Sequence, residues 1–251
     1  MKGAIDTAVE TIRADIVERV RAADATGVVL GISGGVDSAV VCALCAPVVP
    51  TLGLLMPDAS DEGSADTADG RVVCDCFGVT CHLVPITPAV QAIVEGYPDD
   101  IATDTYCMAN IKPRVRMTYL YLAANRERRL VAGTSNKTER LLGYSTKWGD
   151  GAADFCPLGD VWKTDVFTLA KALDVPRTIR EKPPSARLWP GQTDEGELGG
   201  TYAEIDAILQ RLEKEREGVA GTKTPLEASL LERMRVNAHK GVIPPFPRVD
   251  L

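Results

Sequence analysis

The chain has 251 residues, 45% hydrophobic and 25% charged, and 28 Lys plus Arg against 35 Asp plus Glu leave it at −7. That is the composition of a folded protein of one-domain size, and it excludes a disordered tail or a fibrous scaffold. No apolar run approaches the ~20 residues that span a bilayer, and no basic run could track a phosphate backbone, so neither a membrane nor a nucleic acid is an expected partner.

The opening stretch MKGAIDTAVETIRADIVERV reads as an amphipathic helix carrying acids, within a helical segment 1–26. It is unlike a signal peptide, so a cytoplasmic location is expected. GVVLGI at 27–32 is a short β-branched run ending in glycines, and VDSAVVCALCA then has the small-residue spacing of a helix. A second apolar run, TLGLLM at 51–56, stops at Pro57 and is followed by a polar stretch rich in Asp, Ala and Ser. VTCHLVPI at 79–86 and RLVAGT at 129–134 supply two more strands, and 112–128 between them carries helical apolar spacing. A fifth unit is expected around the helix VFTLAKAL at 166–173. Strands alternating with helices predict an α/β fold with a Rossmann-like doubly wound parallel sheet, about five strands flanked by helices, with 1–251 as one domain.

Two stretches are too rich in turn residues to be regular elements. LLGYSTKWGDGAADFCPLGD at 141–160 is long for a simple connection and suits a site, with a mobile lid as one form of it. EKPPSARLWPGQTDEGELGG at 181–200 reads as a second ordered loop, after which YAEIDAILQRLEKE and PLEASLLERMRVNAHK form closing helices at about 201–240.

The most informative residues are Ser33, Gly34, Gly35, Val36, Asp37 and Ser38, because they sit where a strand hands over to a helix. Consecutive glycines let backbone N–H groups close round an anion, the helix N-terminus adds its positive end, and the two hydroxyls can donate to phosphate oxygens. With Gly31 and Ile32 ahead of it, the segment reads as a pyrophosphate cradle. It is neither a Walker loop, which needs Lys after its last Gly, nor a G-x-G-x-x-G fingerprint. A carboxylate beside a phosphate cradle repels its ligand unless a divalent metal lies between them, which reads Asp37 as a Mg²⁺ ligand and the ligand as metal-bound ATP. The alternative is a Gly-Gly turn capped by Asp and Ser.

On SGGVDS the sequence resembles the ATP pyrophosphatases, whose adenine nucleotide alpha hydrolase-like fold splits ATP into AMP and pyrophosphate. Four further motifs occur in order: NIKPRVRM at 110–117, GTSNKTE at 133–139, TKWGDGAADFCPLGDVWKTDV at 146–166 and KPPSARLWPGQTDEGELG at 182–199. Together they resemble the NAD synthetase family, ammonia-dependent type. The resemblance implies ATP- and Mg²⁺-dependent amidation of deamido-NAD through an acyl adenylate, a homodimer with substrate across the subunit boundary, and no nucleophile or general base from the protein. It also implies roles: Asp37 and Glu139 for Mg²⁺; Thr134, Lys163 and Ser185 for ATP; Arg114, Lys147, Asp154, His239 and Lys240 for deamido-NAD. Arg116 lies close enough in register to be confused with Arg114. Taken singly, Arg114 and Arg116 also read as a solvated helix face, Lys163 as a surface lysine and Glu139 as a first-turn helix acid.

Other residues carry plainer readings. The seven cysteines are odd in number and irregularly spaced, which reads as free thiols, and Cys42 and Cys45 fall in a small-residue helix where they pack like alanine. His82, inside an apolar strand, reads as a core residue. Relatives that release ammonia from glutamine carry an amidase domain of hundreds of residues, for which 251 leave no room, so free or externally supplied ammonia is the expected nitrogen source. The rivals are an RNA-thiolating or GMP-forming ATP pyrophosphatase and a silent nucleotide sensor; the acidic charge opposes the first, and the presence of Glu139, Lys147, Asp154 and Lys163 opposes the second.

Overall fold

Val28, Val29 and Leu30 are wholly inaccessible to solvent, as a branched apolar run must be when it forms the middle of a parallel sheet covered on both faces. The computed structural model describes residues 2–58, 65–185, 191–215 and 224–242. In chain order these form α1 (Lys2–Ala22), β1 (Val28–Gly31), α2 (Val36–Cys45), β2 (Thr51–Leu55), α3 (Ala65–Phe77), β3 (Thr80–Leu83), α4 (Thr87–Gly96), α5 (Thr105–Glu127) and β4 (Leu130–Val131). Then follow α6 (Lys137–Leu142), α7 (Lys163–Ala172), α8 (Arg177–Arg180), α9 (Asp194–Leu198), α10 (Tyr202–Glu215), α11 (Pro225–Asn237) and a short 3₁₀ turn, Ala238–Lys240.

The strands lie in the order β3-β2-β1-β4, all parallel, with Val28 opposite Thr51 on one side and Leu130 on the other. The chain therefore winds outward from β1 to β3 and returns to start the other half at β4. Helices α1, α2 and α7 bury one face with Ile16, Val40, Leu44 and Val166. The other face is closed by α4 and α5 through Ile86, Val90 and Val115. A third apolar cluster joins α6, α9, α10 and α11 through Leu142, Leu198, Ile205 and Leu230.

About five strands were expected and four form among the described residues. Sheet pairing continues beyond β4 only as a parallel bridge between Ala132 and Phe155, with Gly133 N–H donating to the Phe155 carbonyl at 2.8 Å. The Gly- and Asp-rich residues before Phe155 do not favour an extended run. The same stretch, read from sequence as a lid, is a chain of turns bonded to itself and to β4: Thr146 N–H donates to Asp150 at 2.7 Å and Asp154 N–H to the Val131 carbonyl at 3.0 Å.

The polar stretch after Pro57 contains α3, which the sequence hid because Gly70 sits in its middle. A Cβ there would lie 2.5 Å from Leu55 Cδ2 and 3.2 Å from the Ile32 carbonyl, so the small residue lets α3 press onto the β1–α2 junction. His82 is a correction. The strand that holds it is the sheet edge and is mostly exposed, so His82 is a solvent-facing residue rather than a core one. The described cysteines are free, and Cys42 and Cys45 are fully buried in α2 with their thiols pushed up to about 12, by burial first. No helix among the described residues is long and apolar enough to cross a membrane.

One buried carboxylate fixes the helices that carry the site. Asp206 on α10, 1% exposed, accepts from Thr138 Oγ1 at 2.6 Å, Thr164 Oγ1 at 2.8 Å and Thr164 N–H at 2.9 Å, so it ties α6 to α7. Asp206→Ala strands three donors and is expected to lower the unfolding free energy by about 2–4 kcal/mol. Urea unfolding monitored by circular dichroism, with a lower midpoint at unchanged slope, is the measurement.

Candidate functional site

Because β1 sends the chain to one side and β4 to the other, their carboxyl ends cannot both be covered by one connection, and a crevice opens between them. A cavity of about 780 Å³ occupies that place, within the range of small-molecule sites. The β1–α2 turn forms one wall, the end of β4 and the residues after it (131–135) another, and α5, α11 and the segment at 182–185 contribute to the rest.

The turn is built as the sequence suggested. Gly34 has φ +77°, and a Cβ there would meet the Asp66 carbonyl at 2.5 Å, so the position requires glycine on two counts. Gly35 is the N-cap of α2 and no side chain caps that helix, which leaves its first amides turned to the crevice end. The two serines shape the loop: Ser38 Oγ donates to the Gly35 carbonyl at 3.0 Å and accepts from Ser33 N–H at 3.2 Å, and the hydroxyls of Ser33 and Ser38 lie 3.2 Å apart. Ser38 is 2% exposed. Its bonds to Gly35 and Ser33 fix the loop geometry, and it also lines the cavity.

At the crevice floor the chain buries a cation between two anions. Lys163, the first residue of α7, has a side chain 2% exposed; its Nζ donates to Asp37 Oδ2 at 2.6 Å and Glu139 Oε1 at 3.2 Å. The surface-lysine alternative is thereby removed. Burial alone would lower its pKa, but the Asp37 and Glu139 charges overcome that and hold the ammonium protonated. Glu139 is pushed up to about 7, chiefly by burial and further by Asp37, with Lys163 opposing. The first-turn helix acid reading of Glu139 holds, since it belongs to a capping box in which Asn136 accepts from Glu139 N–H at 3.0 Å and Glu139 accepts from Asn136 N–H at 3.3 Å. Asn136, fully buried, donates its Nδ2 to Asp37 Oδ1 at 2.9 Å. Both Asp37 oxygens are therefore aimed from α6 and α7.

Thr134 and Ser185 line the cavity; the Ser185 hydroxyl donates to the Gln192 carbonyl at 2.6 Å. Lys240 lines it too, its Nζ donating to the Gly143 and Ser145 carbonyls at 2.9 and 2.7 Å, with its pKa lowered by burial. Arg114, Lys147 and His239 meet outside the lining: Arg114 Nε donates to the Lys147 carbonyl at 3.3 Å and Lys147 Nζ to the His239 carbonyl at 2.8 Å. Asp154 stands apart from them, accepting from Val131 N–H at 2.7 Å and Tyr121 OH at 3.2 Å. Arg116, not Arg114, lines the cavity, with Nε donating to the Met56 carbonyl at 3.0 Å.

Sequence reasoning missed several residues. Asn136 was readable, because N-K-T-E is a capping-box pattern. Tyr202 had no local signal: it comes from α10, places its ring under Lys163 Nζ at 5.1 Å and donates its OH to Asp194 at 2.9 Å. Tyr144 donates to Asp194 and Glu197 at 3.1 and 3.0 Å, which fastens α9 beside the site. Lys182 lines the cavity and pairs with Asp66 and Asp69.

Removing the cation leaves two half-buried carboxylates facing each other. Lys163→Met is expected to cost about 3–5 kcal/mol of stability in chelator-treated protein. The loss should be larger at pH 8 than at pH 5, because a Glu139 whose pKa lies above that of the unfolded chain takes up a proton at low pH and relieves the repulsion. Chemical denaturation at the two pH values decides it; an equal loss at both would refute the coupling.

A family model described as NAD synthase matches residues 8–244. The chain is 46% identical over 235 residues, 92% of each chain, to an Archaeoglobus fulgidus protein named NH(3)-dependent NAD(+) synthetase. Among solved structures, that of an NMN synthetase from Francisella tularensis superposes with a TM-score of 0.87 at 32% identity, over 98% of this chain and 99% of that one. An NH3-dependent NAD synthetase from Campylobacter jejuni gives 0.82 at 32% identity, over 97% and 99%. With SGGVDS, the buried Asp37–Lys163–Glu139 cluster and a match over nearly its whole length, the chain belongs to the NAD synthase family.

Proposed function

We propose that this protein amidates deamido-NAD with ammonia at the expense of ATP, giving NAD, AMP and pyrophosphate. The observation that carries the reading is the meeting of the Gly34–Gly35 turn with a buried Asp37–Lys163–Glu139 cluster at the switch point of the sheet, in a chain of this family. The nicotinate carboxylate oxygen bonds to the α-phosphorus of ATP, the bond from that phosphorus to the bridging oxygen breaks, and the electron pair leaves with pyrophosphate. Ammonia then bonds to the acyl carbon, loses a proton, and AMP departs. Since the substrate itself is activated, the protein supplies position and electrostatics rather than a nucleophile.

In this scheme the amides of the Gly34–Gly35 turn hold departing phosphoryl oxygens, and Lys163 keeps positive charge beside them. Thr134 and Ser185 offer hydroxyls to the nucleotide. Asp37 and Glu139 fit a Mg²⁺ ion beside Lys163: they are hard oxygen donors held close together in the crevice, and two carboxylates plus substrate phosphates is the usual donor set. Bound there, Mg²⁺ would neutralise charge on the phosphates. Lys240 lies on the cavity wall, next to the outer group of Arg114, Lys147 and His239, and we assign these with Asp154 to the dinucleotide substrate. The outward placement of Arg114, Lys147 and His239 supports a homodimer with substrate across the boundary. A cytoplasmic enzyme using free or externally supplied ammonia, as one domain, completes the reading.

The 0.87 TM-score to a protein named NMN synthetase favours a second reading, in which the acid is a nicotinate mononucleotide. Incubation with ATP, Mg²⁺, ammonium and each acid in turn separates them. NAD and AMP in equal amounts from deamido-NAD is the expected result, a faster mononucleotide reaction selects the second reading, and ADP as product excludes both. Asp37→Ala is expected to reduce turnover at least about a hundredfold, with secondary structure retained by circular dichroism.

Metal dependence carries a pH signature. A carboxyl that titrates near 7 must lose its proton to bind a hard cation. The Mg²⁺ concentration for half-maximal rate should therefore rise as pH falls below about 7, approaching tenfold per unit, and level off above about 8. Mg²⁺ titrations at pH 6, 7 and 8.5 test this.

A further inference from the structure

The β1–α2 turn offers amides to an anion but no positive side chain, since the one charged residue between Gly31 and Ser38 is Asp37. Five cationic residues line the cavity among the described ones: Arg116, Lys163, Lys182, Arg233 and Lys240. Lys163 is committed to Asp37 and Glu139. Arg116 donates to the Met56 carbonyl, Lys240 to those of Gly143 and Ser145, and Arg233 stands over the Tyr144 ring, 3.7 Å from Glu197.

Lys182 differs in where its partners are. It pairs with Asp66 and Asp69, which lie three apart on one face of α3. The Asp66 carbonyl is the atom that a Cβ on Gly34 would strike, so the first turn of α3 touches the turn at the position that demands glycine. Lys182 is therefore held to the helix turn that abuts Gly34, on the wall of the same cavity as Gly34 and Gly35, with 17% of its side chain exposed. Its partners are carboxylate oxygens, chemically close to the oxygens of a phosphoryl group, and replacing one by the other keeps the ammonium satisfied.

We propose that Lys182 is a ligand of the pyrophosphoryl group, with Asp66 and Asp69 as positioning residues that hold it by the turn and compete with the product for it. As negative charge builds on the leaving oxygens, Lys182 exchanges one carboxylate for a phosphoryl oxygen. When pyrophosphate leaves, the carboxylates take the ammonium back, which limits product affinity. This rests on the nucleotide reading of the turn given above.

Isothermal titration of Mg²⁺-pyrophosphate and Mg²⁺-ATP into the full chain and three variants tests it. Lys182→Met should weaken pyrophosphate binding by about tenfold or more and flatten its salt dependence, and Lys182→Arg should stay within about threefold of wild type. Asp69→Asn should strengthen pyrophosphate binding by roughly threefold, because it removes a competitor and a repulsive charge; loss of a merely structural contact would not do that. Pyrophosphate bound equally by wild type and Lys182→Met, or more weakly by Asp69→Asn, overturns the role of Lys182 and leaves the nucleotide reading standing. Should Lys182→Met fail to fold, the Asp69→Asn titration decides alone. Wild type binding neither ligand removes the nucleotide reading itself.

Discussion

The site depends on a single buried cation. Lys163 lies at the foot of α7 between Asp37 from α2 and Glu139 from α6, so three helices converge on one ammonium group. An ammonium buried from water between two half-buried carboxylates is costly unless each group finds opposite charge and hydrogen bonds. Here Asn136 satisfies the second Asp37 oxygen, the capping box satisfies Glu139, and Tyr202 offers its ring face to Lys163. The arrangement holds acidic oxygens together where an isolated pair would repel.

The sheet supplies the place for this cluster. Parallel strands with a reversal of winding between β1 and β4 leave an opening at their carboxyl ends, and the turn after β1 and the residues after β4 both arrive there. Asp206 then sets the spacing of α6 and α7 from behind, through three hydrogen bonds to two threonines. Stability and function share residues as a result: Thr138 both supports Asp206 and accepts from the Lys163 N–H at 3.0 Å.

Much of this was legible in sequence where the cause is local. The β1 run, the glycine turn and the two late helices follow from branched residues, glycine freedom and apolar spacing, and the start of α10 at Tyr202 coincides with its reading. The motifs also pointed to Asp37, Glu139 and Lys163, and the fold brings both carboxylates within hydrogen-bond reach of the Lys163 ammonium. What was not legible depends on position in three dimensions. His82 and its apolar neighbours look like core, yet β3 is the sheet edge, and strand order is not written in a strand's own residues. Gly70 masks α3 because its reason for being there is contact with Leu55 and Ile32. Tyr202 and Asp206 reach the site's supports from a segment whose local pattern is that of an ordinary helix, and Lys182 and Asp194 sit in a motif that does not say which of its residues meet the cavity.

The walls of the crevice begin at residue 31 and end at residue 240. No contiguous half of the polypeptide contains the whole of that lining, so the complete crevice forms only when segments far apart in sequence have folded together. Occupancy then reports on the completed molecule: a bound nucleotide raises the free energy of whole-chain unfolding, and shields the polypeptide from proteases in proportion to ligand concentration over its dissociation constant.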